Sequence, residues 1–364
     1  MDKQYYTTKQ SKYQELRKEI KKFQKILSKK LEESRVIKRR RKVKNTAILT
    51  IAICKLLSES LSFRALSEYM AVEYKIEMSD TAWEKQLSKC AAAFCEASKE
   101  ITEIQVKSKE ICLIDATNVP IEGANNGTMR LHCSYDLSRQ DIDEAHISDW
   151  HTGESICNFN IHPGALYIAD RAYGKAKQMA YILCHHANFL FRITPHNIRL
   201  YTDPACKIAV NLLELLQNTK GNSFETLCYF KYCRSGYPVH LKCFRIPEEK
   251  LDAVERRTKA VETKKCHKFS DKTKYFNKWV LLCTSLSEPS YDLFELYAKR
   301  WQIELLFKRS KIAFRFHRIR RGSQKFYSMI MRFWLSFVLL ASHFASSSPF
   351  FIFDSFALFP LFFS

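Results

Sequence analysis

The sequence predicts an α/β fold, a mixed β-sheet flanked by helices, and three observations carry that expectation. Before about residue 105 apolar residues recur at helical spacing, and from residue 110 the pattern changes to short β-rich runs. A helical stretch, Lys175–His186, then falls between two of those runs. Strands followed by helices in this order suggest one sheet with helices packed on it. At 364 residues the chain can bury a sizeable core and form two or three domains.

Residues 10–45 read as a basic helix or partly ordered arm ending in Lys38-Arg-Arg-Arg-Lys42, and residues 1–45 hold 17 Lys or Arg against 5 Asp or Glu. Such a run suits a solvated tail and a phosphate-binding arm equally. Thr46–Leu61 is an apolar helical stretch, too short and too interrupted by Lys55 and Glu59 to span a membrane. Ser62–Met70 and Ser79–Leu87 each begin with a residue that can cap a helix. Two short helices with a break between them fit either a helix-turn-helix, its second helix in a major groove, or an ordinary helical subdomain.

Ile111–Val119 is an apolar strand with Asp115 at its centre. A carboxylate placed there has to be paired, hydrogen-bonded or bound to metal. Met129–Tyr135 and Glu154–Ile161 follow as candidate neighbours, then Gly164–Asp170 and Asn188–Ile193. Asp170 ends its strand ahead of Arg-Ala-Tyr-Gly174, where a ligand crevice is expected. Taken singly, each aspartate also suits a strand-end cap or a turn. Residues 195–290 hold a Lys-rich stretch at 247–277 and strand-like runs at 224–230, 239–246 and 279–284, a β-rich insertion.

The stretch Tyr297-Ala-Lys-Arg-Trp-Gln-Ile-Glu-Leu-Leu-Phe-Lys-Arg-Ser-Lys311 has no Gly or Pro and reads as one α-helix. At roughly 100° per residue, Tyr297, Arg300, Glu304 and Lys311 share a face, with Leu296, Ile303 and Phe307 as an apolar stripe beside it. The alternative is a solvated face on which Arg300 and Glu304 form an i,i+4 pair.

A net charge of +21 and a pI near 9.4 imply a polyanionic partner, with nucleic acid the first candidate. The 13 Cys contain no Cys-x-x-Cys pair, which favours reduced thiols in a cytosolic protein over disulfides or zinc. The Lys-rich N-terminus lacks the apolar core of a secretory signal. Beyond Arg318–Lys325, basic, and Met329–Leu340, an apolar helical stretch, the tail is rich in Phe, Ser and Pro, with Asp354 its one charge. Pro349 and Pro360 interrupt any membrane span there.

The spacing Y-x2-R-x3-E-x6-K of Tyr297, Arg300, Glu304 and Lys311, with Ile114-Asp115-Ala-Thr117 and Ala169-Asp170-Arg-Ala-Tyr-Gly174, resembles the DDE transposases of bacterial insertion sequences. Ala172 stands where that family more often has Gly, and little room remains between Ile161 and Gly164 for a helix. The resemblance implies a ribonuclease H-like core, with Asp115, Asp170 and Glu304 as catalytic residues and metal ligands. Two Mg²⁺ ions are expected, with Mn²⁺ able to substitute. Tyr297, Arg300 and Lys311 are expected on DNA phosphates. Trp279, in Asn277-Lys-Trp-Val-Leu-Leu, is expected to stack on a base flipped from the DNA end, or else to be a core Trp beginning a strand.

The resemblance further implies hydrolysis at the element's ends, strand transfer of the 3′-hydroxyl, double-stranded DNA ends and target DNA as partners, and a homodimer in the cytoplasm, away from membranes. A DNA-binding remnant without catalysis, or a nuclease of the same fold without strand transfer, are the alternatives. The expected organisation is a basic arm and helical DNA-binding region at 1–105, the catalytic core at 106–194 and 291–340, the insertion at 195–290, and a tail at 341–364. That tail does not resemble the family's helical dimer segment, and a truncated or shifted reading frame near residue 341 is the expectation.

Overall fold

The computed structural model describes residues 21–37, 42–58, 61–102, 111–120, 128–138, 141–149, 151–287 and 290–313. Residues 10–20 and 38–41 of the basic arm, the stretches at 318–340 and the tail at 341–364 lie outside the described residues. The chain divides into two compact units: Met1–Ser108 with Ala116–Gly153 and Glu304–Ser364, and Lys109–Asp115 with Glu154–Ile303. Among the described residues no helix is long and apolar enough to cross a membrane.

The first unit is built on helices α1 (residues 21–33), α2 (Thr46–Ser58), α3 (Phe63–Tyr74) and α4 (Asp80–Thr102). Phe23, Leu27 and Leu31 recur every four residues and are buried with Trp83, Leu87 and Phe94, which is the apolar stripe of amphipathic helices closing on one core. Phe23 meets Phe94 edge to face at 5.2 Å. Ser62 caps α3 by accepting from the Ala65 N–H at 3.2 Å, and Ser79 caps α4 by accepting from Ala82 at 3.3 Å. The second of the two helices expected to be short instead runs 23 residues.

The same unit carries a hairpin of β2 (Thr128–Asp136) and β3 (Asp141–Asp149), in the order β3-β2-β1 with the second half of β1 (Ile111–Pro120). The strand expected at 154–161 is absent. There Ser155 accepts from the Cys157 N–H at 3.3 Å and closes a single 3₁₀ turn, Ile156–Asn158. The strand that pairs with β2 is the acid-rich segment before it.

In the second unit the order is β1-β4-β5-β9-β8-β7-β6, with β4 (Leu166–Ala169), β5 (Asn188–Arg192), β6 (Leu200–Tyr201), β7 (Ser223–Tyr232), β8 (Ser235–Arg245) and β9 (Trp279–Thr284). β1, β4 and β5 are parallel, joined between β4 and β5 by α5 (Ala176–Cys184); β5 to β9 and onward is antiparallel. Parallel neighbours require such a crossover, and covered faces make β4 buried at every position. The insertion strands therefore extend the sheet instead of standing apart from it. Helices α6 (Leu212–Gln217), α7 (Leu251–Lys265), α8 (Asp271–Phe276) and α9 (Ser290–Ala298) complete the unit, and the last helix, α10 (Trp301–Ala313), continues into the first unit. Tyr167, Tyr173, Phe189, Phe191 and Phe230 fill the core. Helices over a mixed sheet with a parallel β1-β4-β5 centre are the ribonuclease H-like arrangement expected from the sequence.

Candidate active site

The site begins with strand register. Ile114 pairs with Ala169 across the parallel strands β1 and β4, so Asp115 and Asp170 are the next residues on neighbouring strands. Paired strands lie about 4.8 Å apart, which places these two residues at one level of the sheet. The first stays within its strand and the second opens a turn.

That turn is fixed by its own residues. The Asp170 carboxylate accepts from the Ala172 N–H at 2.8 Å, and the Asp170 carbonyl accepts from Tyr173 at 3.2 Å. Tyr173 is buried in the core, which anchors the loop. Gly174 has to be glycine, because a Cβ there would stand 2.6 Å from the Arg192 carbonyl oxygen at the end of β5. Ala172 serves the turn through its backbone N–H, a donor that glycine or alanine supplies equally.

Against the carboxylates stands a cluster of cations. The Arg300 guanidinium lies 3.6 Å from Asp115 Oδ2, with both side chains 15% exposed. A charge-assisted hydrogen bond is about 2.7–2.9 Å, so the guanidinium screens Asp115 electrostatically at a longer reach. Arg192, at the end of β5, has its pKa pushed down by burial first; Tyr297 and Asp170 oppose that shift, while Arg171 and Arg300 add to it. The Tyr297 phenol is pushed up by burial, against the pull of Arg300 and Arg192. Its ring lies 5.8 Å from the Arg300 guanidinium carbon.

The single helix expected over Tyr297–Lys311 is corrected. α9 ends at Ala298, α10 begins at Trp301, and Lys299, Arg300, Gln302 and Ile303 each donate to the carbonyl three residues back. Three residues per turn eclipse i and i+3, which places Arg300 over Tyr297 where a straight α-helix would offset them. No Gly or Pro marks this break; it accompanies the pairing of Arg300 with Asp115. Glu304 and Lys311 ride on α10, where the Lys311 ammonium donates to the Thr117 hydroxyl on β1. Trp279 begins β9 at 3% exposure, the core position left open by the sequence, and such burial leaves no open face for a base to stack on.

Arg192 and Arg171 were not singled out in the sequence. An arginine closing the otherwise apolar run Asn188-Phe-Leu-Phe was the available signal for the first; the second is hidden in its turn. Among the described residues no three His, Cys, Asp or Glu side chains form a group that could hold a metal ion. Asp115 and Asp170, which the register puts at neighbouring strand positions, carry oxygen donors of the hard kind. Among the described cysteine side chains none is joined in a disulfide.

Residues 107–336 match the family model described as transposase DDE domain. The chain is 24% identical over 290 residues to the transposase for insertion sequence element IS421 of Escherichia coli, covering 75% of this chain and 78% of that protein. It is 21% identical over 273 residues to the transposase for insertion sequence element IS231B of Bacillus thuringiensis subsp. berliner, covering 68% of this chain and 57% of that one.

Proposed function

Because the chain belongs to the DDE transposase family, we propose that it is the transposase of an insertion sequence, cutting DNA at the element's ends and joining them to a target. In the first step a water oxygen attacks phosphorus at the end of the element, and the departing 3′-oxygen leaves as a hydroxyl. In the second, that 3′-oxygen attacks a target phosphodiester and the target's own 3′-oxygen leaves.

Asp115, Asp170 and Glu304 are the carboxylates of this reaction, the last on its place in the Asp, Asp, Glu order of the sequence. These carboxylates would hold two Mg²⁺ ions, or Mn²⁺ in substitution, which when bound would supply the Lewis acidity that phosphodiester cleavage needs. Arg300 balances Asp115 before DNA arrives and turns to phosphate when it does. Tyr297 donates its phenolic proton to a phosphate oxygen, which its raised pKa favours because it keeps the phenol protonated. Arg192 and Lys311 add cationic grip on the backbone. The acting species is a homodimer on double-stranded DNA.

One observation supports this reading above the others: Asp115 and Asp170 follow an in-register pair on adjacent parallel strands, with Arg300 beside the first. The test is cleavage of DNA carrying the flanking inverted repeats, with Mg²⁺. Asp115→Asn, Asp170→Asn and Glu304→Gln should each abolish cutting and leave end binding intact; normal cutting by any of them removes that residue from the reaction.

A further inference from the structure

A cleft of about 600 Å³ opens in the second unit, between α7 and the sheet around β9. One face of α7 looks into it: Val254, Arg257, Thr258, Val261 and Lys265 recur at three- and four-residue spacing. α7 buries no residue of its own, so this face stands over open space where a helix ordinarily covers core. Two amides are engaged in holding the walls: Asn277 donates to the Thr258 hydroxyl at 3.3 Å, and Asn197 donates to the Arg171 carbonyl at 2.9 Å. What remains for a ligand is positive charge.

That charge is spread along the cleft. Arg171 follows Asp170 directly, Arg192 ends β5 within electrostatic reach of Asp170, and Arg257 and Lys265 come from α7 in the insertion. No described carboxylate lines the cleft. Arg171, Arg257 and Lys265 are exposed, and none of the three is ion-paired among the described residues. A compact anion meets one cluster of cations, whereas a phosphodiester backbone meets several in succession. Because Arg171 belongs to the turn that carries Asp170, a strand with one phosphate at the carboxylates runs directly into this cleft.

Resting on the transposase reading, we propose that this cleft carries the backbone of one DNA strand away from the scissile phosphate, with Arg171 on a phosphate near Asp170 and Arg257 on one further along. The space beneath a single helix takes one sugar-phosphate chain and not a duplex. Arg257 is then a positioning residue: it acts on the reaction through the strand it grips, because a backbone held along the cleft cannot slide past the carboxylates. The open face of α7 thereby gains an occupant, and the insertion joins the DNA-binding surface.

The test uses the full chain and DNA carrying the flanking inverted repeats, with single neutral methylphosphonate linkages placed one at a time along either strand beside the cut. Dissociation constants are measured without divalent metal for the wild type, Arg257→Ala and Arg256→Ala. In the wild type a neutral linkage at one position of one strand should weaken binding by about tenfold, the worth of a charge-assisted contact. Arg257→Ala should weaken binding of fully charged DNA by about as much, and the same neutral linkage should then cost nothing further. A merely structural loss would add to the linkage penalty at every position. Arg256, its neighbour in the chain, faces outward with Asp252, Glu255 and Lys259, so Arg256→Ala should bind as the wild type does and keep the full penalty. Additive penalties at every position, coupling on both strands alike, or an equal loss in Arg256→Ala overturns the proposal. If the wild type cuts the ends with Mg²⁺ and no coupling is found, the cleft proposal falls and the transposase reading stands. If coupling is found in a protein that cuts no DNA, the cleft remains a strand site and the cutting activity is what falls.

Discussion

Gly174 shows how much of the site rests on a single residue. The turn Asp170-Arg-Ala-Tyr-Gly174 closes against the end of β5, and a methyl group at position 174 would sit 2.6 Å from a backbone oxygen that has no flexible side chain to yield. Gly174→Ala should therefore shift either the loop or Arg192, at a cost of about 1–3 kcal/mol. Thermal denaturation should show the loss, and cleavage should fall more steeply than end binding, because the displaced atoms are those beside Asp170. A variant with wild-type melting and wild-type cleavage would show that the turn has room that the geometry denies it. Arg300 offers the complementary case. Its planar guanidinium lies beside Tyr297 while reaching Asp115, and lysine is a point charge without the plane. Arg300→Lys should keep DNA binding within a few-fold and lose most cleavage, measured on the same inverted repeats.

At the scale of elements, what the sequence revealed depended on how each segment is solvated. β1, β4, β5 and β9 were legible because strands covered on both faces are continuous apolar runs, and a carboxylate inside such a run stands out. β3 was not legible: Asp141, Asp143, Glu144 and Asp149 give it the composition of a loop, and only its pairing with β2 makes it a strand. The break between α9 and α10 left no mark in residue type, since it comes from packing around Arg300 and not from a helix breaker. The β2–β3 hairpin also carries a prediction. His132 and His146 face each other in register, their rings stacked at 4.7 Å, and His132 Nε2 lies 2.9 Å from the Ser148 hydroxyl. Burial, then His146 and Arg130, push the His132 pKa down to about 4; burial lowers His146 as well. A depressed histidine pKa means that the unfolded chain takes up the proton first, so stability falls as pH drops from about 6.5 towards 4. For His132 the full loss is about 3 kcal/mol. Thermal melts across that range should show the slope, and His132→Phe should flatten it; a variant whose slope matches the wild type would place the acid sensitivity elsewhere.

For the whole molecule the governing quantity is charge. A net +21 on 364 residues gives the chain affinity for any DNA, and that affinity carries no sequence information by itself. The structure suggests how such attraction becomes a committed complex. Arg300 is held beside Asp115 and Lys311 against Thr117, so these cations are positioned before DNA arrives, unlike the solvated lysines of α7. A positioned cation that meets one phosphate releases about one counterion, so it contributes about 0.9 to the slope of log affinity against log salt. Lys311→Ala should reduce that slope on end-bearing DNA by about one unit while weakening binding to all sequences alike. Removing an α7 lysine such as Lys264, which has no such placement, should change the slope by less. The comparison is made by measuring dissociation constants for both variants over a series of salt concentrations. Equal slopes for wild type and Lys311→Ala would mean that this ammonium stays with Thr117 and never reaches phosphate, which would make Lys311 a structural residue of α10 and leave the phosphate contacts to Arg300 and Arg192 outside that helix.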